Sequence, residues 1–134
     1  MEVHVNYVAV LVAALANYII AAIWYGAIFS KLWQKLTGIT EMKPMPLNIV
    51  LVLIGSFVLS YVLYHSITFG DAYFKMSGVQ GGLMGGFFGW LGYIAPVTLC
   101  TKLYEKKPWG LWVLDNAFWL ISLLAMGTIL SLWM

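Results

Sequence analysis

The stretch VNYVAVLVAALANYIIAAIWYGAIF, Val5–Phe29, decides the fold. It holds no charged residue and is longer than the roughly 20 apolar residues a helix needs to cross a bilayer. Three more runs of the same kind follow, Leu47–Phe69, Val79–Thr101 and Trp109–Trp133, parted by short loops that carry lysine. Each predicts one membrane span. The expected fold class is therefore all-α: an integral membrane four-helix bundle, with residues 1–134 forming a single transmembrane domain. Ala13–Ala16 looks like the small-residue cleavage site of a signal peptide. No lysine or arginine precedes it, however, and the apolar run continues well past a signal core, so it is read as a retained span.

Composition agrees. Charged residues make up 9% of the chain and hydrophobic ones 63%. A soluble domain carries roughly 25% charged residues, so this surface is not built to face water. All seven cations are lysine. Without arginine, bidentate recognition of phosphate or carboxylate is not expected, and no basic patch offers a nucleic-acid footprint. Cys100 is the one cysteine, which excludes an intrachain disulfide and dithiol redox chemistry within one chain.

The lysines also predict an orientation. Lys31, Lys35 and Lys43 lie in the first loop and Lys102, Lys106 and Lys107 in the third, on one face; Lys75 alone lies on the other. Positive residues collect on the cytoplasmic side, so both termini are expected outside. Pro44, Pro46 and Pro108 mark helix boundaries. Ser77 and Gln80 match a capping box opening the third span. Ser30–Gly38 sets Leu32, Trp33 and Leu36 against Lys31 and Lys35. That pattern suits either a short interfacial helix or lysines snorkelling at a span end.

In lipid, small residues and polar groups hold helices together. Gly81, Gly85 and Gly89 recur every four residues, Gly82 and Gly86 form an adjoining row, and Gly92 extends it. These are the predicted helix-packing residues, for contacts within one bundle or for a dimer or pore-lining face. Pro96 deprives Gly92 of its helical hydrogen bond and is expected to kink the third span.

Asn6, Ala13, Asn17 and Trp24 fall on one stripe of the first span. Asn17 is near mid-span, where an unpaired amide is costly, so it must face protein. By depth its reachable partners are Ser56 and Ser122, beside Gly89. It is either interhelical glue or the lining of a polar path. Asp115 is the one acid inside the four runs. An ionisable group there is a functional candidate by default, though the helix dipole and Lys102 offer it a structural role. Tyr25, Asn48, Thr98, Thr101, Lys102 and Asn116 lie at matching depth. The outer half holds Asn6, Tyr61, His65, Thr68 and Gln80. The candidate polar track is thus Asn6, Asn17, Asp115, Asn116, His65, Tyr25 and Asn48. His65 is a possible proton acceptor or metal ligand, but no spacing resembles a metal site, and no cofactor is expected. The methionines and tryptophans suit packing and interfacial anchoring. No phosphate loop, Ser–His–Asp set or paired carboxylates point to catalysis.

Several segments resemble a known family. Val5–Ala14, Ile23-Trp24-Tyr25, Trp33 and Leu36-Thr37-Gly38 are similar to the uncharacterised membrane family catalogued as domain of unknown function 1761. So are Gly89–Pro96, Asn116-Ala117-Phe118, Met126–Leu130 and Trp133. The resemblance covers nearly the whole chain and implies a four-span membrane protein of bacterial type, in the inner membrane. It brings no activity, ligand or catalytic residue, and Asp115 departs from a more neutral residue in that pattern. Small multidrug exporters, built around a glutamate in the first span, and small fluoride channels fit less well. The expectation is an interaction or structural component, not an enzyme. Its partners would be the bilayer, a second copy forming a homodimer, or another membrane protein. A small-molecule or ion translocator is the alternative, and a membrane-interface enzyme a further one.

Overall fold

The computed structural model describes residues 4–39 and 46–133; Lys43 and Pro44 of the first loop lie outside them. Every regular element among the described residues is helical. Helix α1 spans Tyr7–Ala22 and runs on through a π-helical turn, Ile23–Ile28. Helix α2 is short, Ser30–Thr37, and ends at Gly38, whose φ of 74° is the left-handed C-terminal signature that glycine adopts without strain. Helix α3 covers Pro46–Phe74 and α4 Gly78–Gly89. A second π turn, Trp90–Ile94, joins α4 to α5, Ala95–Tyr104, and α6 covers Trp109–Leu132.

Counted with their π turns, four of these helical stretches are long and apolar enough to cross a membrane: Tyr7–Ile28, Pro46–Phe74, Gly78–Tyr104 and Trp109–Leu132. The four apolar runs therefore map one to one onto helices. Pro46 opens α3 and Pro108 caps α6, as the sequence indicates, because proline needs no backbone donor there. The Ser30–Gly38 helix forms, and it is docked: Leu36 packs against Gly110 at the start of α6.

Two boundary expectations are corrected, and the irregularity expected at Pro96 takes a particular form. The second helix runs past Phe69 to Phe74, because Gly70–Phe74 continues the helix without a breaker. It thereby takes in Asp71, so Asp115 is not the only acid within a spanning helix. The Ser77–Gln80 capping box does not form: Ser77 occupies the N-cap without a side-chain bond, and Gln80 is exposed. Pro96 is met by the π turn that precedes it, in which Ala95 N–H bonds Trp90 O, five residues back. The widened turn lets the helix resume as α5 with proline in its first turn, where no donor is required.

Helix α6 is the centre of the bundle, with buried residues spread from Leu111 to Ser131. The core joins Val10 and Ala13 of α1, Leu63, Tyr64 and Ile67 of α3, and Leu123, Met126 and Leu130 of α6. Helix α4 enters differently: its buried residues are Gly81, Gly82 and Gly86. A Cβ on Gly82 would stand 2.7 Å from the carbonyl carbon of Gly127 and from Ser131 Oγ; one on Gly86 would stand 2.5 Å from Leu123 O. Glycine is required at this crossing because the two backbones touch. Gly81 and Gly85 close instead on Asp71 and Ile67 of α3. The two glycine rows thus serve two neighbours within one chain.

Candidate functional site

The polar residues of the bundle form three clusters. The first is at Asn17, which is 4% exposed. Its Nδ2 donates to Ser56 Oγ at 2.7 Å, and Ser122 Oγ donates to its Oδ1 at 2.5 Å. One amide thereby ties α1 to α3 and α6, through the two serines its depth pointed to. Gly89, expected beside it, forms no close approach: a Cβ there would meet nothing within 4 Å. Such bonds contribute roughly 0.6–2 kcal/mol each in an apolar surround.

The second cluster lies at the lysine-bearing end. Tyr25 Oη donates to Asp115 Oδ1 at 2.5 Å, a short bond of the charge-assisted kind. Next to it Asn116, 3% exposed, has its Oδ1 held by Trp90 Nε1 at 3.2 Å. Its Nδ2 donates to Thr98 Oγ1 at 3.0 Å and to Trp112 O at 2.9 Å. Tyr25 sits in the first π turn and Trp90 in the second. The two π turns thus deliver the aromatic donors that hold consecutive residues of α6. Lys102 is not the partner of Asp115; its ammonium lies 3.7 Å over the Trp109 ring. A cavity of about 100 Å³ beside this cluster is lined by Thr98, Thr101, Lys102, Lys107, Trp112 and Asp115. That is the volume of about three water molecules, well below the ~300 Å³ of small ligand sites.

The third cluster binds α3 to the start of α1. Ser60 Oγ donates to Val10 O at 2.9 Å and Tyr64 Oη to His4 O at 2.9 Å. Ser56, Ser60 and Tyr64 form a row at four-residue spacing, facing α1. That spacing was available in the sequence and marks the inward face of α3.

The remaining candidates fall outside these clusters. Asn6 is the N-cap of α1, its Oδ1 accepting from Ala9 N at 3.2 Å, rather than a lining residue. Asn48 is exposed on the first turns of α3, where residues 46–50 are all exposed, and forms no hydrogen bond among the described residues. His65 Nδ1 lies 2.9 Å from the carbonyl of Tyr61 in its own helix, and its ring packs among Tyr61, Tyr64 and Phe69. Among the described residues no group of three His, Cys, Asp or Glu side chains could hold a metal ion. Gly92, like Gly89, meets nothing within 4 Å, and Pro96 is exposed. That end of the third helical stretch meets α6 through Trp90 and Thr98 instead, on the Asn116 side.

The clusters do not merge into one track. Phe118 lies on α6 between Asp115 and Ser122, is 3% exposed, and packs at a tilt against Tyr25 with ring centroids 5.3 Å apart. An aromatic layer therefore separates Asp115 from Asn17. The large cavity lies to the side. It is a groove of about 1000 Å³ between α3 and the α4–π stretch, walled by Leu59, Ile67, Met84, Phe88, Gly89 and Tyr93 among others. Its lining is overwhelmingly apolar.

With this geometry in hand, comparison with known proteins gives one match. Residues 8–131 match the family described as protein of unknown function DUF1761. The chain belongs to this family. No curated protein and no solved structure matches it. The DUF1761 match covers the first two polar clusters, the third except for His4, and both walls of the groove.

Proposed function

We propose that this DUF1761 protein is a multi-pass membrane component that works by interaction, holding another transmembrane helix against its side. The observation that carries this reading is the lateral groove between α3 and α4, which is apolar, open and walled by uncovered glycine. In a bilayer, helices associate where small residues permit close backbone approach. Gly89 and Gly92 offer that approach, and among the described residues no helix takes it. The lysine-bearing loops lie on the cytoplasmic side and both termini outside, as the distribution of lysines favours.

The translocation reading has less support. Asn17 is bonded on both its amide nitrogen and its oxygen by serines in the core, and Phe118 stands between it and Asp115. An enzymatic reading would need a ligand-sized cavity at Asp115 and Lys102, where about 100 Å³ is found. The test is reconstitution into liposomes with a broad panel of solutes and ions. No flux is expected, in the wild type or in Asn17→Leu and Asp115→Asn. Flux that either substitution abolishes would overturn the interaction reading.

A further inference from the structure

We infer that the lysine-bearing end of the bundle is a docking surface for lipids whose headgroups carry a net negative charge. This surface lies apart from the groove, so it goes beyond the interaction reading, and its test leaves that reading untouched.

Charge is the first observation. This end holds six lysines, Lys31, Lys35, Lys43, Lys102, Lys106 and Lys107, against two glutamates, Glu41 and Glu105. Lys107 pairs with Glu105 at 2.9 Å. Lys31, Lys35, Lys102 and Lys106 make no ion pair among the described residues. The deeper acid, Asp115, is engaged by Tyr25.

The fold gathers these charges. Helix α2 contains no acid, and Lys31 and Lys35 lie one turn apart on it, both exposed. Leu36, next to Lys35, packs on Gly110 and fixes α2 against the first turn of α6. Beside Gly110, Trp109 is 56% exposed and holds the Lys102 ammonium 3.7 Å over its ring. The start of α6 therefore joins the lysines of α2 to those at the end of α5.

Depth decides the partner. Lys102 is two residues inside the end of Gly78–Tyr104, and Lys31 is three residues beyond Tyr7–Ile28. Both lie within about 5 Å of a span end along the helix axis, which is the level of the lipid headgroups. Leu32, 43% exposed, and Trp109 stand beside them. Apolar and aromatic residues take such places at the boundary between headgroups and acyl chains. A soluble acidic protein would meet the lysines but leave Leu32 and Trp109 in water. Lysine acts on phosphate as a point charge, without the guanidinium fork. The surface thus selects negative charge and not one headgroup shape.

The full chain in nonionic detergent is titrated with phosphatidylglycerol, phosphatidylserine or phosphatidylcholine of the same acyl chains, and retained lipid is counted by native mass spectrometry. The two anionic lipids should bind alike and more tightly than phosphatidylcholine, the difference shrinking as salt rises. Lys35→Gln and Lys102→Gln should each lower the anionic-lipid affinity about fivefold. Lys35→Arg and Lys102→Arg, which keep the charge, should retain it, and Lys75→Gln at the other end should change nothing. Phosphatidylcholine held as tightly as the anionic lipids, or a loss in Lys75→Gln equal to that in Lys35→Gln, overturns the proposal. Displacement of the lipid by an equal concentration of inorganic phosphate would mark a soluble-phosphate site and overturn the lipid assignment.

Discussion

Gly82→Ala is the substitution whose effect the structure sets most sharply. The added Cβ would stand 2.7 Å from the Gly127 carbonyl carbon and from Ser131 Oγ, and still closer to the Gly127 oxygen. Relief requires α4 and α6 to separate by about 1 Å, and a gap of 0.5–1 Å already forfeits a quarter to a half of each van der Waals contact across it. Overpacking of this kind costs about 1–3 kcal/mol. Against that, alanine in a helix gains up to about 1 kcal/mol over glycine. The net expectation is a loss of about 1–2 kcal/mol. Gly55→Ala is the control: Gly55 lies within α3 with nothing within 4 Å of a Cβ, so only the propensity gain applies. Its expected effect is between zero and about 1 kcal/mol of stabilisation. Unfolding of both variants by sodium dodecyl sulfate titration from mild-detergent micelles, followed by circular dichroism, compares them directly. The reasoning fails if Gly82→Ala is as stable as wild type, or if Gly55→Ala is destabilised as much.

Asn17→Leu removes two core hydrogen bonds and leaves the hydroxyls of Ser56 and Ser122 without their partner, at an expected cost of about 1–3 kcal/mol in the same unfolding assay. Tyr25→Phe removes the donor to Asp115 and should cost about 1.5–3 kcal/mol, a range typical of hydrogen bonds to charged groups; a loss no larger than that of Tyr73→Phe, an exposed tyrosine, would contradict it. Trp90→Phe leaves Asn116 Oδ1 without its indole donor and should cost about 1 kcal/mol. In whole cells, a membrane-impermeant maleimide should fail to label Lys106→Cys in a Cys100→Ser background until the membrane is opened; labelling of intact cells would reverse the orientation.

Much of this arrangement is legible in the sequence. The four apolar runs give the four long helices because length and apolarity alone decide them. Asn17 is legible too: a mid-span amide has few partners at its depth, and the structure joins it to Ser56 and Ser122. The helical rise gives depth but says little about which face of one helix meets which neighbour. Hence Asn48, at the right depth, lies in a turn of α3 that is exposed all round, while Lys102 finds an indole ring before it finds Asp115. The glycine rows show where backbones approach, yet only the fold shows that Gly82 and Gly86 meet α6, Gly81 and Gly85 meet α3, and Gly89 and Gly92 meet nothing. The π turns had no sequence signal at Ile23–Ile28, and at Trp90–Ile94 only Pro96 hinted at an irregular ladder.

The central claim is that the polar residues bond the bundle together and do not line a path through it. Water-to-protein magnetisation transfer by solid-state NMR, on the labelled protein in lipid bilayers, reads this at each side chain. The account predicts transfer to Asp115, beside its small cavity at the lysine-bearing end, and none to the Asn17 amide, held dry between Ser56 and Ser122 behind Phe118. Rapid transfer from water to the Asn17 amide would contradict it.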